Sequence, residues 1–176
     1  METNPFDDIY FMKEALKEAE KGFTENEVPV GCVIVCDNQI IARAHNLTER
    51  LNDVTAHAEM QAFTSASDFL GGKYLNECTL YVTLEPCLMC AGATYWTQLK
   101  KIVFGAYDLK RGYSQFNEGV LHPKTEVKGG VMTGVKPVRY EFPVRHPLTF
   151  HLVDKFSKKK FKQGLCVKAE FFRVKD

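Results

Sequence analysis

Apolar positions change their period several times along this chain, and each change marks an element. Met12, Ala15, Leu16 and Ala19 recur at helical spacing, which predicts an amphipathic helix over Asp8 to Lys21 ended by Gly22. Val30 to Cys36 is a nearly unbroken apolar run, followed by Asp37-Asn38 and then Gln39 to Ala44. That pattern predicts a hairpin whose first strand is buried on both faces, with the turn pair setting its register. Asn52-Asp53-Val54-Thr55 offers helix-capping residue types before the run Ala56 to Ala66, so a second helix is expected with His57 in its first turn. Gly71-Gly72 breaks the pattern. A strand over Thr79 to Thr83, a third helix with Pro86 at its first position and a strand over Lys101 to Ala106 follow.

The order helix, hairpin, helix, strand, helix, strand predicts the α/β class, as a three-layer α/β/α arrangement around a central mixed five-stranded sheet. Ligands of such sheets collect at strand ends, where helices begin. No repeat or low-complexity linker interrupts residues 1–130, which read as one domain. Residues 131–176 read as a C-terminal basic extension packed on, or trailing from, that domain. Gly134, Pro137, Pro143 and Pro147 exclude a long helix before His146. Leu148, Leu152, Val153 and Phe156 suit one face of a short helix, and Leu165 to Val174 suits a strand or an irregular tail.

Length and composition narrow the class further. The 176 residues can bury one full core and fall short of two domains. No apolar stretch approaches the roughly 20 residues that span a bilayer, so no membrane partner is expected. The six cysteines are scattered, and Met1-Glu2-Thr3-Asn4-Pro5 lacks a basic-then-apolar leader, which together point to a reducing, cytoplasmic setting. The net charge of +1 hides an asymmetry. Residues 1–123 hold 10 Lys and Arg against 17 Asp and Glu, whereas residues 124–176 hold 13 against 5. A basic C-terminal third suits a phosphate backbone, and equally suits a solvated surface.

The chemistry lies in two short motifs. His57-Ala58-Glu59 is followed thirty positions later by Pro86-Cys87-Leu88-Met89-Cys90. Cys87 and Cys90, three residues apart at a helix start, would put two sulfurs on one side near the positive end of the helix dipole, where thiolates form more readily. With His57 they make three zinc ligands. Three protein ligands leave a fourth position for solvent, the mark of a catalytic rather than a structural zinc. Glu59, two residues from His57, reaches the same pocket without serving as a ligand and can carry protons. Either motif alone is weak: His-x-Glu is common in helices, and a lone Cys-x-x-Cys suits redox chemistry or structural zinc. A structural site would need a fourth ligand from Cys32, Cys36, Cys78 or Cys166, none of which forms a second Cys-x-x-Cys.

These motifs, together with Glu27-Val28-Pro29-Val30-Gly31, the block Thr83 to Ala93, Val103-Phe104-Gly105-Ala106 and Leu121-His122-Pro123, closely resemble the bacterial tRNA-specific adenosine deaminases. That family lies within the zinc-dependent cytidine and deoxycytidylate deaminase superfamily. The resemblance covers roughly three quarters of the chain. It implies a cytidine deaminase-like fold, one zinc per subunit, a homodimer, and hydrolytic conversion of adenosine to inosine at the wobble position of a tRNA anticodon arm. It also implies that Glu59 moves the protons and that Asn46 and the Ala58 backbone contact the nucleoside. Asp108, Lys110 and Arg111, in the segment Ala106 to Gly112, would lie along the RNA with His122. A loop mixing Asp108, Lys110, Arg111 and Tyr113 also suits phosphate contact and base stacking on its composition. The Pro-interrupted stretch after Lys128-Gly129 departs from the family pattern, and Tyr95-Trp96 is similar to guanine deaminases. The alternatives are therefore a deaminase of a free purine base or nucleoside such as guanine, a catalytically silent RNA-binding partner, and a thiol-disulfide exchange protein.

Overall fold

In a computed structural model of the chain, residues 6–116, 119–131, 137–143, 159–161 and 164–172 are described, and they fall into two compact units divided after Thr133. In the first unit, helix α1 (Asp8–Thr24) precedes strands β1 (Gly31–Cys36) and β2 (Gln39–His45). Helix α2 (Ala58–Leu70), strand β3 (Thr79–Leu84), helix α3 (Leu88–Thr97), strand β4 (Lys101–Ala106) and the short strand β5 (Glu126–Lys128) follow. The five strands form one mixed sheet in the order β2-β1-β3-β4-β5. β1 runs antiparallel to β2 and to β3, whereas β3, β4 and β5 are parallel.

Strand alternation sorts the core into two layers. Cys32, Ile34, Ala42, Ala44, Leu80, Val82, Ile102 and Phe104 share one buried cluster with Ala58, Ala62, Phe63 and Ala66 of α2. Val33, Tyr81 and Val103, at the alternate positions, are buried on the opposite face, where the ring of Phe11 from α1 lies 5.0 Å from that of Tyr81. The helices therefore cover both faces, and the three-layer α/β/α architecture with its mixed five-stranded sheet is as expected. Gly31 sets the closeness of α1, because a Cβ there would overlap the backbone of Ala15 and Ala19. The hairpin turns at Asp37 and Asn38, both with positive φ (48° and 61°), as a two-residue turn of the primed type requires.

Three local expectations need correction. α1 does not stop at Gly22 but runs to Thr24. That glycine is a packing residue, since a Cβ would stand 3.2 Å from the His45 side chain. His57 is the N-cap of α2 rather than a residue of its first turn, and the side chain of Asp53 instead closes a local turn on Thr55. Pro86 precedes the N-cap Cys87 instead of occupying the first helical position.

The second unit, Gly134–Asp176, contains β6 (Pro137–Pro143), β7 (Lys159–Phe161) and β8 (Gly164–Phe172). They form an antiparallel sheet in the order β6-β8-β7. The stretch expected as strand or tail from Leu165 is a strand, and the proline-bounded segment before His146 is another. The short helix expected around Leu148 to Phe156 lies outside the described residues.

Candidate metal centre

Topology brings the two motifs together. β2 and β3 both run antiparallel to β1, so their C-terminal ends reach the same edge of the sheet, and the helices that follow begin there. His57 and Cys87 are the N-caps of those helices, with matching extended backbones (φ −69°, ψ 156° and φ −73°, ψ 171°). Neither side chain makes a capping bond, which leaves both available to a ligand. His57 Nδ1 lies 3.6 Å from Cys87 Sγ and 3.5 Å from Cys90 Sγ.

A tetrahedral zinc with ordinary Zn–S and Zn–N lengths holds its sulfur and nitrogen ligands about 3.6 Å apart. His57 Nδ1 already has that spacing from both sulfurs. Among the described residues the group comprises His57, Cys87 and Cys90 alone, all within 4.8 Å of one another. Cys32 is buried, and its thiol is pushed well above its ordinary value by burial and by the nearby charge of Glu59. Cys36 and Cys78 do not join the group, and the side chain of Cys166 lies outside the described residues.

Electrostatics prepares the donors. Without metal, a hydrogen bond from Cys90 holds the Cys87 thiol down to about 4, against the opposing effect of burial and with help from His57. Cys90 is pushed far up because it donates to Cys87 and is buried. The pair therefore shares one proton, which metal binding displaces. His57 is raised, chiefly by its hydrogen bond with Cys87. Glu59, in the first turn of α2 and 3 % exposed, is raised by burial above all, although His57 and a bond from Cys90 oppose that rise.

Residues 6–106 match the family model of the cytidine and deoxycytidylate deaminase zinc-binding region. The chain belongs to this deaminase family. It is 52 % identical over 103 residues to the tRNA-specific adenosine deaminase of Aquifex aeolicus, spanning 58 % of this chain and 68 % of that one. The tRNA-specific adenosine deaminase of Bacillus subtilis is 47 % identical over 130 residues, 71 % of this chain and 81 % of the relative. Among solved structures, one from work on A-to-I editing by tRNA:A34 deaminases at the wobble position has a TM-score of 0.66 at 40 % identity, covering 70 % of this chain and 93 % of that one. A guanine deaminase from Bacillus subtilis has a TM-score of 0.56 at 40 % identity, covering 57 % of this chain and 65 % of that one. Zinc is the cofactor of this deaminase domain, and the His57, Cys87 and Cys90 geometry fits one ion per chain.

The remaining site candidates of the deaminase fall at different distances from these donors. Asn46 is buried; its Oδ1 accepts the Ala58 N–H at 2.9 Å and its Nδ2 donates to the Val28 carbonyl at 3.0 Å. The amide thus ties the first residue of α2 to the loop before β1, and the Ala58 N–H is engaged by protein. Asp108, Lys110 and Arg111 lie on the loop after β4. That loop meets the ligand turn through a bridge between Cys87 and Gly112 and a bond from the Tyr113 N–H to the Pro86 carbonyl at 2.9 Å. The side chain of Asp108 caps its own turn by accepting from the N–H groups of Lys110 and Arg111. His122 does not join the donor group; its ring lies 5.4 Å from that of Tyr95 on α3.

Two buried carboxylates stand inside the quoted motifs without a role that the sequence assigns. Glu27 is 0 % exposed and accepts from Thr48 Oγ1 and from the N–H groups of Glu49 and Arg50, at 2.8 to 3.1 Å. Glu85 accepts from the N–H groups of Asp108 and Ser114, both at 3.0 Å. Each holds a loop beside the site. Apart from their place in those motifs, their sequence signal is an acidic residue set directly against an otherwise apolar or metal-binding run, at Glu27-Val28-Pro29 and Glu85-Pro86-Cys87.

Proposed function

We propose that this chain deaminates adenosine to inosine in RNA, hydrolytically and with zinc, at the wobble position of a tRNA anticodon arm. The observation that carries the reading is a metal-spaced His-Cys-Cys triad with one buried carboxyl, Glu59, beside it. Likeness to the tRNA-specific adenosine deaminases supports the substrate. His57, Cys87 and Cys90 hold the ion, which when bound supplies a Lewis acid that activates water for attack on C6 of the purine. Glu59, whose pKa burial raises, takes up the proton lost by water and delivers it to ring N1. It then takes the proton of the hydroxyl newly bonded to C6 and passes it to the departing amine as the C6 carbonyl forms, so adenosine and water give inosine and ammonia. Asn46, whose amide is oriented by Ala58 and Val28, offers its second Nδ2 hydrogen to the nucleoside, and Ala58 lines the same wall. Asp108 shapes the loop that presents Lys110 and Arg111 to phosphate, and His122 meets RNA beside Tyr95 of α3.

The same reading makes the enzyme a cytoplasmic homodimer. Trp96, 79 % exposed beside Tyr95 on α3, supports a subunit contact there. No helix among the described residues is long and apolar enough to cross a membrane. The zinc chemistry is assigned to residues 1–130, with the basic remainder as an RNA-facing extension. The guanine deaminase likeness gives one rival, a free-base deaminase. Incubation with an anticodon stem-loop and, separately, with guanine, adenine and free nucleosides, followed by assay of inosine and ammonia, separates the two. Inosine in the stem-loop is the expected result; deamination of guanine alone would overturn the proposal.

A further inference from the structure

Glu85 stands two residues before the metal donor Cys87 and is 2 % exposed. Its N–H continues the strand pairing by donating to the Ala106 carbonyl at 2.8 Å, which aims the side chain at the loop leaving β4. Oε2 takes the Asp108 N–H and Oε1 the Ser114 N–H, so one carboxylate grips both ends of the segment containing Lys110 and Arg111. The grip is close, because a Cβ on Gly112 would overlap the carboxyl group itself. The same segment is strapped to the ligand turn by the bridge from Gly112 to Cys87 and the bond from Tyr113 to Pro86. Lys110 and Arg111 are exposed on the held loop.

We propose that Glu85 is a positioning residue for the polyanionic substrate: by clamping residues 108–114 it presents Lys110 and Arg111 to phosphate at a set distance from the metal donors. The proposal rests on the RNA reading above. A loop ordered before binding loses less entropy when RNA arrives, so the clamp acts on affinity rather than on the chemical step. Bonds from N–H groups to a carboxylate are about twice as strong as neutral ones, which suits an acidic residue to this place. Glutamine would keep one acceptor and turn an NH₂ group towards the other donor.

The test uses the zinc-loaded full chain and an anticodon stem-loop. Glu85→Gln is expected to raise KM about tenfold, the loss of roughly one good hydrogen bond to a charged group. kcat should stay within about threefold and zinc at one per chain. Because Lys110 and Arg111 would lose their phosphates, the slope of log affinity against log salt should fall by about one to two. Lys110→Ala with Arg111→Ala should then add little in the Glu85→Gln background. Gly112→Ala, which displaces the loop while leaving the carboxylate intact, should show the same KM and salt signature. An unchanged salt slope, full additivity, a fall in kcat at constant KM, or loss of zinc would each overturn the inference while leaving the RNA reading in place. Failure of the unaltered enzyme to deaminate the stem-loop would overturn both.

Discussion

Glu27→Ala removes a side chain whose motif assigns it no role, and its cost follows from its bonds. The carboxylate accepts from Thr48 Oγ1 and the N–H groups of Glu49 and Arg50, and it is fully buried. Bonds to charged groups contribute about 1.5–3 kcal/mol each, but Glu49 and Arg50 are exposed residues whose N–H groups can regain water as the loop relaxes. A figure near 1 kcal/mol per donor is therefore appropriate, about 3 kcal/mol in all. For a unit of this size that loss lowers the melting temperature by about 10 °C. The three α-helices among the described residues all lie in the first unit, so urea unfolding followed by helical circular dichroism reports on that unit. Free zinc must be held equal, because the ion stabilises whatever folded state binds it. The midpoint should fall with no change in slope. A loss below about 1 kcal/mol would refute the reasoning, for it would mean that water replaces all three bonds without penalty.

Glu59→Gln should abolish turnover on the stem-loop while zinc, measured by atomic absorption, stays at one per chain; surviving activity would remove the proton carrier from the mechanism. His57→Ala or Cys90→Ser should lose the metal, and a chelator should silence the unaltered enzyme until zinc, but not a reductant, restores it. Asp8 is held below the usual carboxylate range. Burial would raise it, but bonds from Lys128 and Tyr81 and the charge of Lys101 outweigh that effect. A lowered folded value contributes stability that is present above the unfolded value near 4 and is lost as pH falls through the folded one. Asp8→Asn should therefore flatten the acid limb of the stability curve in urea titrations, and an unaltered limb would contradict the assignment. Trp96→Glu should shift the sedimentation equilibrium from dimer to monomer; an unchanged distribution would move the subunit contact away from α3.

The mixed sheet, its helices and the triad His57, Cys87 and Cys90 were legible before any coordinates, because periodicity within an element and spacing within a motif are local properties. Asp37-Asn38 announced its hairpin for the same reason: backbone conformations with positive φ select their residues. The starts of α2 and α3 were each placed slightly wrong. Capping residue types were available at Asn52 to Thr55, yet the helix waits for His57, whose side chain is left without a capping bond. The pairing of β1 with both β2 and β3 makes two N-caps into two donors of one site. No composition rule contains that.

Residues of this chain thus divide by the reach of what specifies them. The triad and Glu59 belong to two short motifs, each spanning only a few positions, and the pair of motifs together announces zinc and proton transfer. Glu27 and Glu85 find donors 21 and 29 residues away, Asn46 locks Ala58 from the loop after β2, and His122 packs its ring on Tyr95 of α3. A buried carboxylate is tolerable only where the folded backbone supplies N–H groups to meet it, and those groups converge only once the sheet has brought its loops to one edge.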